Sequence, residues 1–196
     1  FVWSQPLLGQ STGDYDTSRT IITPKQRQMI SAGAKFKLTK NLRLETEVAY
    51  SKNDLNTFSR ADSGDDQSFG TMARLIGDLP LSKDSLPNWI LRTTAQIEAR
   101  DRNFNPIENY RTVEFDRDWN TRNKGYNGNE VVSRLGANFM NRKFGNINFS
   151  GQQYSIGGDY EGLRMFGNGR WKQKGFSANW DGSYLSSKAE QANEYI

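Results

Sequence analysis

The chain has 196 residues, 35% hydrophobic and 24% charged, and its 26 Lys and Arg against 22 Asp and Glu leave a net charge of +4. That surplus is small and dispersed, without a block of like charge, so no electrostatic case for DNA or RNA arises. Cysteine and histidine are both absent, which excludes disulfide frameworks, the usual zinc sites, and Ser-His-Asp or thiol nucleophiles from these residues.

Mean hydropathy is −0.82, and no run approaches the roughly 18 apolar residues of a transmembrane helix. A helical membrane protein is thereby excluded. A membrane β-barrel is not, because only alternate strand residues face lipid and the average cancels. Phe1-Val2-Trp3 has neither an initiator Met nor a basic segment leading into an apolar one, and it reads as a strand cut in its middle. The chain is therefore expected to be part of a larger protein.

From Ile30 the pattern is strict. Ile30, Ala32, Ala34, Phe36 and Leu38 alternate with Ser31, Gly33, Lys35 and Lys37. After Thr39-Lys40-Asn41 the alternation resumes, with Leu42, Leu44, Thr46, Val48 and Tyr50 against Arg43, Glu45, Glu47 and Ala49. A period of two belongs to a β-strand, whose successive side chains point to opposite faces. The segment predicts a hairpin in which Leu38 opposes Leu42, so that Phe36 faces Leu44, Ala34 faces Thr46, Ala32 faces Val48 and Ile30 faces Tyr50. On the other face Lys35 meets Glu45. Lys37 opposite Arg43 is a like-charge pair that a nearby carboxylate must relieve. Asn41 tolerates the left-handed conformation, which suits a type I turn closed by a bulge.

The same alternation recurs along the chain. Phe69, Thr71, Ala73, Leu75, Gly77 and Leu79 form one set. Trp89, Leu91, Thr93, Ala95, Ile97 and Ala99 form the next, with Arg92, Gln96, Glu98 and Arg100 opposite. Val131, Ser133, Leu135, Ala137 and Phe139 alternate with Arg134 and Asn138, and the partner strand opens on Ile147-Asn148-Phe149-Ser150-Gly151 before losing its phase around Gln152-Gln153. Leu163, Met165 and Trp171 against Arg164 and Arg170, then Phe176, Ala178, Trp180, Gly182 and Tyr184 against Asn179 and Asp181, predict a last hairpin around Lys172-Gln173-Lys174-Gly175. The expected fold is all-β, an antiparallel up-and-down meander of about eight long strands without helix, forming one barrel region over residues 1–196.

The links alternate in length. Those at 39–41, 80–88, 141–146 and 172–175 are short, whereas 51–68 and 100–130 are long and polar, and only the link near 157–160 breaks the rule. Short turns at one end and long loops at the other is the asymmetry of outer-membrane barrels, and both long links are expected to face outward. Trp89, Phe139, Phe144, Trp171 and Phe176 sit beside the short turns, while Tyr50, Phe69, Tyr154 and Tyr184 sit toward the opposite strand ends, as interfacial girdles would. The apolar sets are rich in Ala, Thr and Gly, which suits fluid lipid better than the interdigitated core of a sandwich.

The long hairpins, Gly13-Asp14-Tyr15 after Gly9-Gln10, and Val113-Glu114-Phe115-Asp116-Arg117-Asp118-Trp119-Asn120 together resemble the large outer-membrane β-barrel proteins of Bacteroidota-type bacteria. The likeness covers most of the chain in pattern but only these short stretches in motif. It implies a portion of a barrel with more strands, within a cell-envelope assembly of a Gram-negative outer membrane. It supplies no catalytic or ligand residues.

The remaining clusters have plain explanations. Asp62, Asp65 and Asp66 around Gly64 are weak candidates for a hard cation such as Ca²⁺, but their spacing is not that of an EF-hand, and a solvated loop accounts for them. Glu114, Asp116 and Asp118 would share a face of an extended segment, a spacing compatible with glycoside hydrolysis, yet pairing with Arg111, Arg117 and Arg122 explains them better. Gly157-Gly158, Gly167 and Gly169 fit kinks or bulges in a curved sheet.

The sequence thus predicts a non-enzymatic scaffold or conduit without a cofactor, whose partners are membrane lipid and other envelope proteins. Ile30, Phe36, Leu44, Val48, Leu91 and Ile97 would face lipid. Lys35, Lys37, Arg43, Glu45, Glu47, Arg92 and Glu98 would line a charged lumen. The alternative is a secreted β-sandwich or β-repeat, an adhesin or glycan-binding module that would use exposed Tyr110, Trp119 and Tyr126.

Overall fold

The computed structural model describes residues 22–59, 61, 63–82 and 89–189, together with Gln5 and Leu8. Phe1-Val2-Trp3, Gly9-Gln10, Gly13-Asp14-Tyr15 and Asp62 lie outside the described residues. Eight strands appear: β1 (Gln26–Lys37), β2 (Leu42–Asp54), β3 (Gln67–Pro80), β4 (Trp89–Arg100), β5 (Glu130–Asn141), β6 (Gly145–Ile156), β7 (Tyr160–Gln173) and β8 (Phe176–Ala189). They form one antiparallel sheet in sequence order, from β1 at one edge to β8 at the other, and the sheet is not closed. One helical turn, α1 (Phe115–Asp118), interrupts the β4–β5 link.

The predicted first hairpin is present in the expected register. Ile30 pairs with Tyr50, Ala32 with Val48, Ala34 with Thr46, Phe36 with Leu44 and Lys35 with Glu45. The Lys35 ammonium lies 3.9 Å from the Glu45 carboxylate. The turn is built differently from the expectation. Asn41 is not among the residues with positive φ. Instead Leu42 O accepts from Leu38 N (2.9 Å) and Thr39 N (3.2 Å), and the Thr39 hydroxyl accepts from Asn41 N at 3.2 Å. A side-chain acceptor thereby does the work assigned to a left-handed residue. Asp78 of β3 acts on Arg43 from a distance, but its carboxylate is held by Arg92 at 2.6 Å, so the relief expected for the Lys37–Arg43 pair does not take the form of an ion pair among the described residues.

All seven ladders run without a bulge, including those of β7. The expectation of kinks at Gly167 and Gly169 is therefore corrected. Both glycines lie beneath the Trp180 ring, where a Cβ has no room, and of the four glycines expected to kink the sheet Gly157 alone has a positive φ, 53°, in the β6–β7 turn. Followed across the ladders, Lys37 at the tip of β1 comes level with Ser183, well inside the tip of β8 at Phe176. That slip of about 23 Å over about 34 Å of lateral strand spacing corresponds to a tilt of about 35°, within the range of barrel strands.

Register fixes two faces. One carries every predicted apolar set, from Ile30 and Phe36 through Leu44, Val48, Leu91 and Ile97 to Trp180 and Tyr184. The other carries Lys35, Lys37, Arg43, Glu45, Glu47, Arg92 and Glu98. The buried core does not lie between two sheets. It sits on the polar face, at the end bearing the long links, where Trp119, Val132, Tyr154, Ile156 and Tyr160 cluster.

Candidate functional site

The apolar face is exposed. Within the strands, large hydrophobic residues that remain open include Ile30 (69%), Leu135 (68%), Phe149, Met165, Phe176 and Tyr184 (70%), and each lies on this one face. Its charged strand residues, Lys52, Asp54, Glu161 and Lys188, sit only at the end bearing the long links. Between them and the short turns the face is uncharged for about 27 Å along a strand, and about 34 Å across the sheet. The resulting area of about 900 Å² exceeds the largest apolar patch of an ordinary soluble monomer, about 300–600 Å². Aromatic rings border it. Tyr50 and Phe69 pack at 5.4 Å near the long links, and near the short turns Trp171 lies 6.2 Å from Trp89 and stacks on Phe144 at 5.0 Å.

The polar face is covered at one end by the β4–β5 link, residues 101–129. The segment lies down on the sheet instead of standing clear of the strand ends. Phe104 (8% exposed) lies over Gly70 of β3, and Trp119 (1% exposed) lies over Gly162 of β7, where added Cβ atoms would meet the rings at 3.1 Å. Trp119 also packs against Tyr154 at 5.3 Å, and its carbonyl accepts a hydrogen bond from the Tyr160 hydroxyl. Phe115 of α1 meets Tyr154 edge-on at 5.2 Å, and Tyr126 packs on Tyr160 at 5.5 Å. Four aromatic side chains of the link are thus seated on side chains of β6 and β7 or on a glycine of β3.

Ion pairs complete the attachment. Arg111 reaches Glu98 of β4 at 3.1 Å and Glu130 of β5 at 2.5 Å, with its guanidinium 4.3 Å from the centre of the Phe115 ring. Arg100 also pairs with Glu130, and the Tyr154 hydroxyl donates to it at 2.7 Å. Asp118 pairs with Arg164 of β7 at 2.8 Å. Burial works against the Arg111 charge, but the Glu130 carboxylate and the Tyr110 and Tyr154 hydroxyls together more than offset it, so the guanidinium holds its proton more firmly than usual. Burial pushes the Tyr110 hydroxyl up, and that hydroxyl donates to Glu98 at 2.9 Å. On the β1 side, Arg27 bonds to Asn105, and Asn105 N donates to the buried Ser51 hydroxyl at 3.3 Å. The link therefore spans the polar face from β1 to β7. Between residues 104–110 and β1–β4 it leaves a cavity of about 700 Å³ lined by Met29, Glu47, Met72, Arg74 and Glu108 among others.

The other candidates separate clearly. Among the described residues no group of acidic side chains is placed to hold a metal ion. Asp65 is exposed, Asp66 is buried, and Asp62 lies outside the described residues. Glu114, Asp116 and Asp118 do not lie along an extended strand, because α1 coils the chain there. Arg117 pairs with Glu114 at 2.9 Å as expected, but Arg111 reaches the strand carboxylates instead. Of the aromatics proposed for glycan contact, Trp119 is buried and Tyr126 half-buried, and only Tyr110 is exposed.

The seated link was missed by sequence reasoning, although a signal existed. In β6 the phase fails because Gln153 and Ser155 take the apolar face while Tyr154 and Ile156 turn to the polar one. Val132 and Tyr160 do the same on the flanking strands. An inverted phase at one end of adjacent strands marks a polar face that receives an apolar partner. Comparison with known proteins returns no match, whether to a family model, to a curated protein or to a solved structure.

Proposed function

We infer that the chain is a stretch of membrane-spanning β-barrel wall acting as a scaffold or conduit rather than as a catalyst, with segment 101–129 folded against its inner, water-facing side. The observation that carries this reading is the exposure of an uncharged, aromatic-bordered apolar face across eight tilted strands. In water such a face would aggregate; against lipid tails it is satisfied. Among the described residues no strand pairs with the outer edge of β1 or of β8, and these long edges call for further strands, supplied by more of the same protein or by a neighbour, since a spanning sheet cannot leave backbone groups open to hydrocarbon. On this reading Ile30, Phe36, Leu44, Val48, Leu91 and Ile97 face lipid. Lys35, Lys37, Arg43, Glu45, Glu47, Arg92 and Glu98 face the lumen.

The localisation that follows is an outer membrane, with envelope proteins as partners. The sandwich alternative is weakened because all eight strands lie in one sheet, and no second sheet faces it among the described residues. The test is detergent dependence. The expressed protein should partition with membranes, resist high-salt extraction and need detergent to stay monodisperse. A chain monodisperse in plain buffer would overturn the reading.

A further inference from the structure

Arg74 of β3, Arg134 of β5 and Arg164 of β7 stand in one cross-strand row of the polar face, separated by Gln96 of β4 and Gln152 of β6. Alternate strands set successive arginine Cα atoms about 10 Å apart. The outer two have carboxylate partners: Glu45 lies 3.5 Å from Arg74, and Asp118 lies 2.8 Å from Arg164. The middle one does not. Arg134 is exposed and takes part in none of the ion pairs among the described residues. Arg74 and Arg164 act on it as like charges, and the carboxylate that acts on it, Glu98, is already held by Arg111 and the Tyr110 hydroxyl.

The next row toward the short turns carries Thr94, Gly136 and Ser150 on the same face. These small side chains leave room beside the guanidinium for a ligand group to lie close to the sheet. A guanidinium offers a planar fork of N–H donors matched to paired oxygens of carboxylate, sulfate or phosphate, and each flanking glutamine adds an amide donor. Arg74 and Arg164 add positive potential on either side of Arg134, reduced by the Glu45 and Asp118 carboxylates they hold.

We propose that this row is an oxyanion-binding strip centred on Arg134, and that it prefers a solute carrying several anionic oxygens, which reaches Arg134 and a neighbouring arginine together. The inference rests on the wall reading only in requiring that the polar face be open to water.

The full chain in detergent micelles is titrated calorimetrically with tripolyphosphate and, separately, with acetate. Tripolyphosphate should bind with an affinity that falls as salt rises, and acetate should bind about tenfold more weakly or worse. Arg134→Gln should lower tripolyphosphate affinity about tenfold, and Arg134→Lys, which keeps the charge but loses the fork, should fall between. Lys174→Gln, in the exposed β7–β8 turn, should leave it unchanged. Circular dichroism confirms that each variant keeps its sheet, and if Arg134→Gln does not fold, the Lys variant carries the comparison. No binding by the parent chain, equal binding by the Arg134 variants, or an equal loss in Lys174→Gln would each overturn the strip. Acetate binding as tightly as tripolyphosphate would overturn the preference for several oxyanions. Solubility without detergent would sink the membrane reading alone, because the same titration then runs in buffer.

Discussion

The two long links of this sheet begin alike and end differently. Both the segment after β2 and the segment after β4 are rich in Asn, Asp, Gly and Ser or Thr, and both join neighbouring strands at the same end of the sheet. In the first, Leu55 and Phe58 remain open to solvent, with Phe58 75% exposed. In the second, Phe104 and Trp119 are buried and the chain lies down across the polar face. Loop composition does not separate them; the surface that awaits each does. Gly70 and Gly162 leave sockets for two rings, Tyr154 and Tyr160 turn inward to meet Trp119, and Glu98 and Glu130 wait for Arg111. A polar link folds onto a polar face when that face carries a local apolar and acidic seat.

The largest expected effect removes the anchor of the seated link. Trp119→Ala should destabilise the docked segment by about 3–5 kcal/mol, as for large buried aromatics generally. Hydrogen exchange should then quicken across 101–129, and trypsin should cut at Arg117, Arg122 or Lys124 well before the parent chain is cut. Unchanged protection of the segment would contradict the seat.

A contrast between the two faces comes next. Leu91→Arg should lower stability by about 2–4 kcal/mol if that position lies near the bilayer midplane, while Glu45→Arg on the opposite face should lower it far less. Reversible folding into lipid vesicles measures both, and equal losses would break the distinction between faces. Glycines sharpen it further. Gly162→Ala puts a methyl against Trp119 and Tyr160 and should destabilise by about 1–3 kcal/mol. Gly182→Ala, which opens onto empty space on the apolar face, should be close to neutral in denaturant titration. The smallest effect belongs to the other link: Phe58→Ala should stay within about 0.5 kcal/mol of the parent in the same titration, as an exposed side chain does.

Most of the sheet was legible in the sequence because strand periodicity is a local property. Ile30 to Tyr50 specify a register on their own, since a slip of one residue would exchange the charged and apolar faces. The turn was less legible. Thr39 closes it through its hydroxyl, a competitor that position alone did not distinguish from a left-handed Asn41. The seat of 101–129 was illegible for a different reason. It depends on contacts between residues far apart in the chain, such as Arg111 with Tyr154 or Asp118 with Arg164, whose only local trace is the phase inversion at Tyr154 and Ile156. The arginine row appears only once the registers of β3 to β7 are joined.

The absence of cysteine makes the central claim directly measurable. Single cysteines placed in turn from Leu91 to Glu98 of β4, labelled with nitroxide in lipid vesicles, report collision with oxygen, which concentrates in lipid, and with a water-soluble nickel chelate. The account predicts a period of two: oxygen dominates at Leu91, Thr93, Ala95 and Ile97, and nickel at Arg92, Thr94, Gln96 and Glu98. Equal accessibility at all eight positions, or nickel dominating at Leu91 and Ile97, would contradict it.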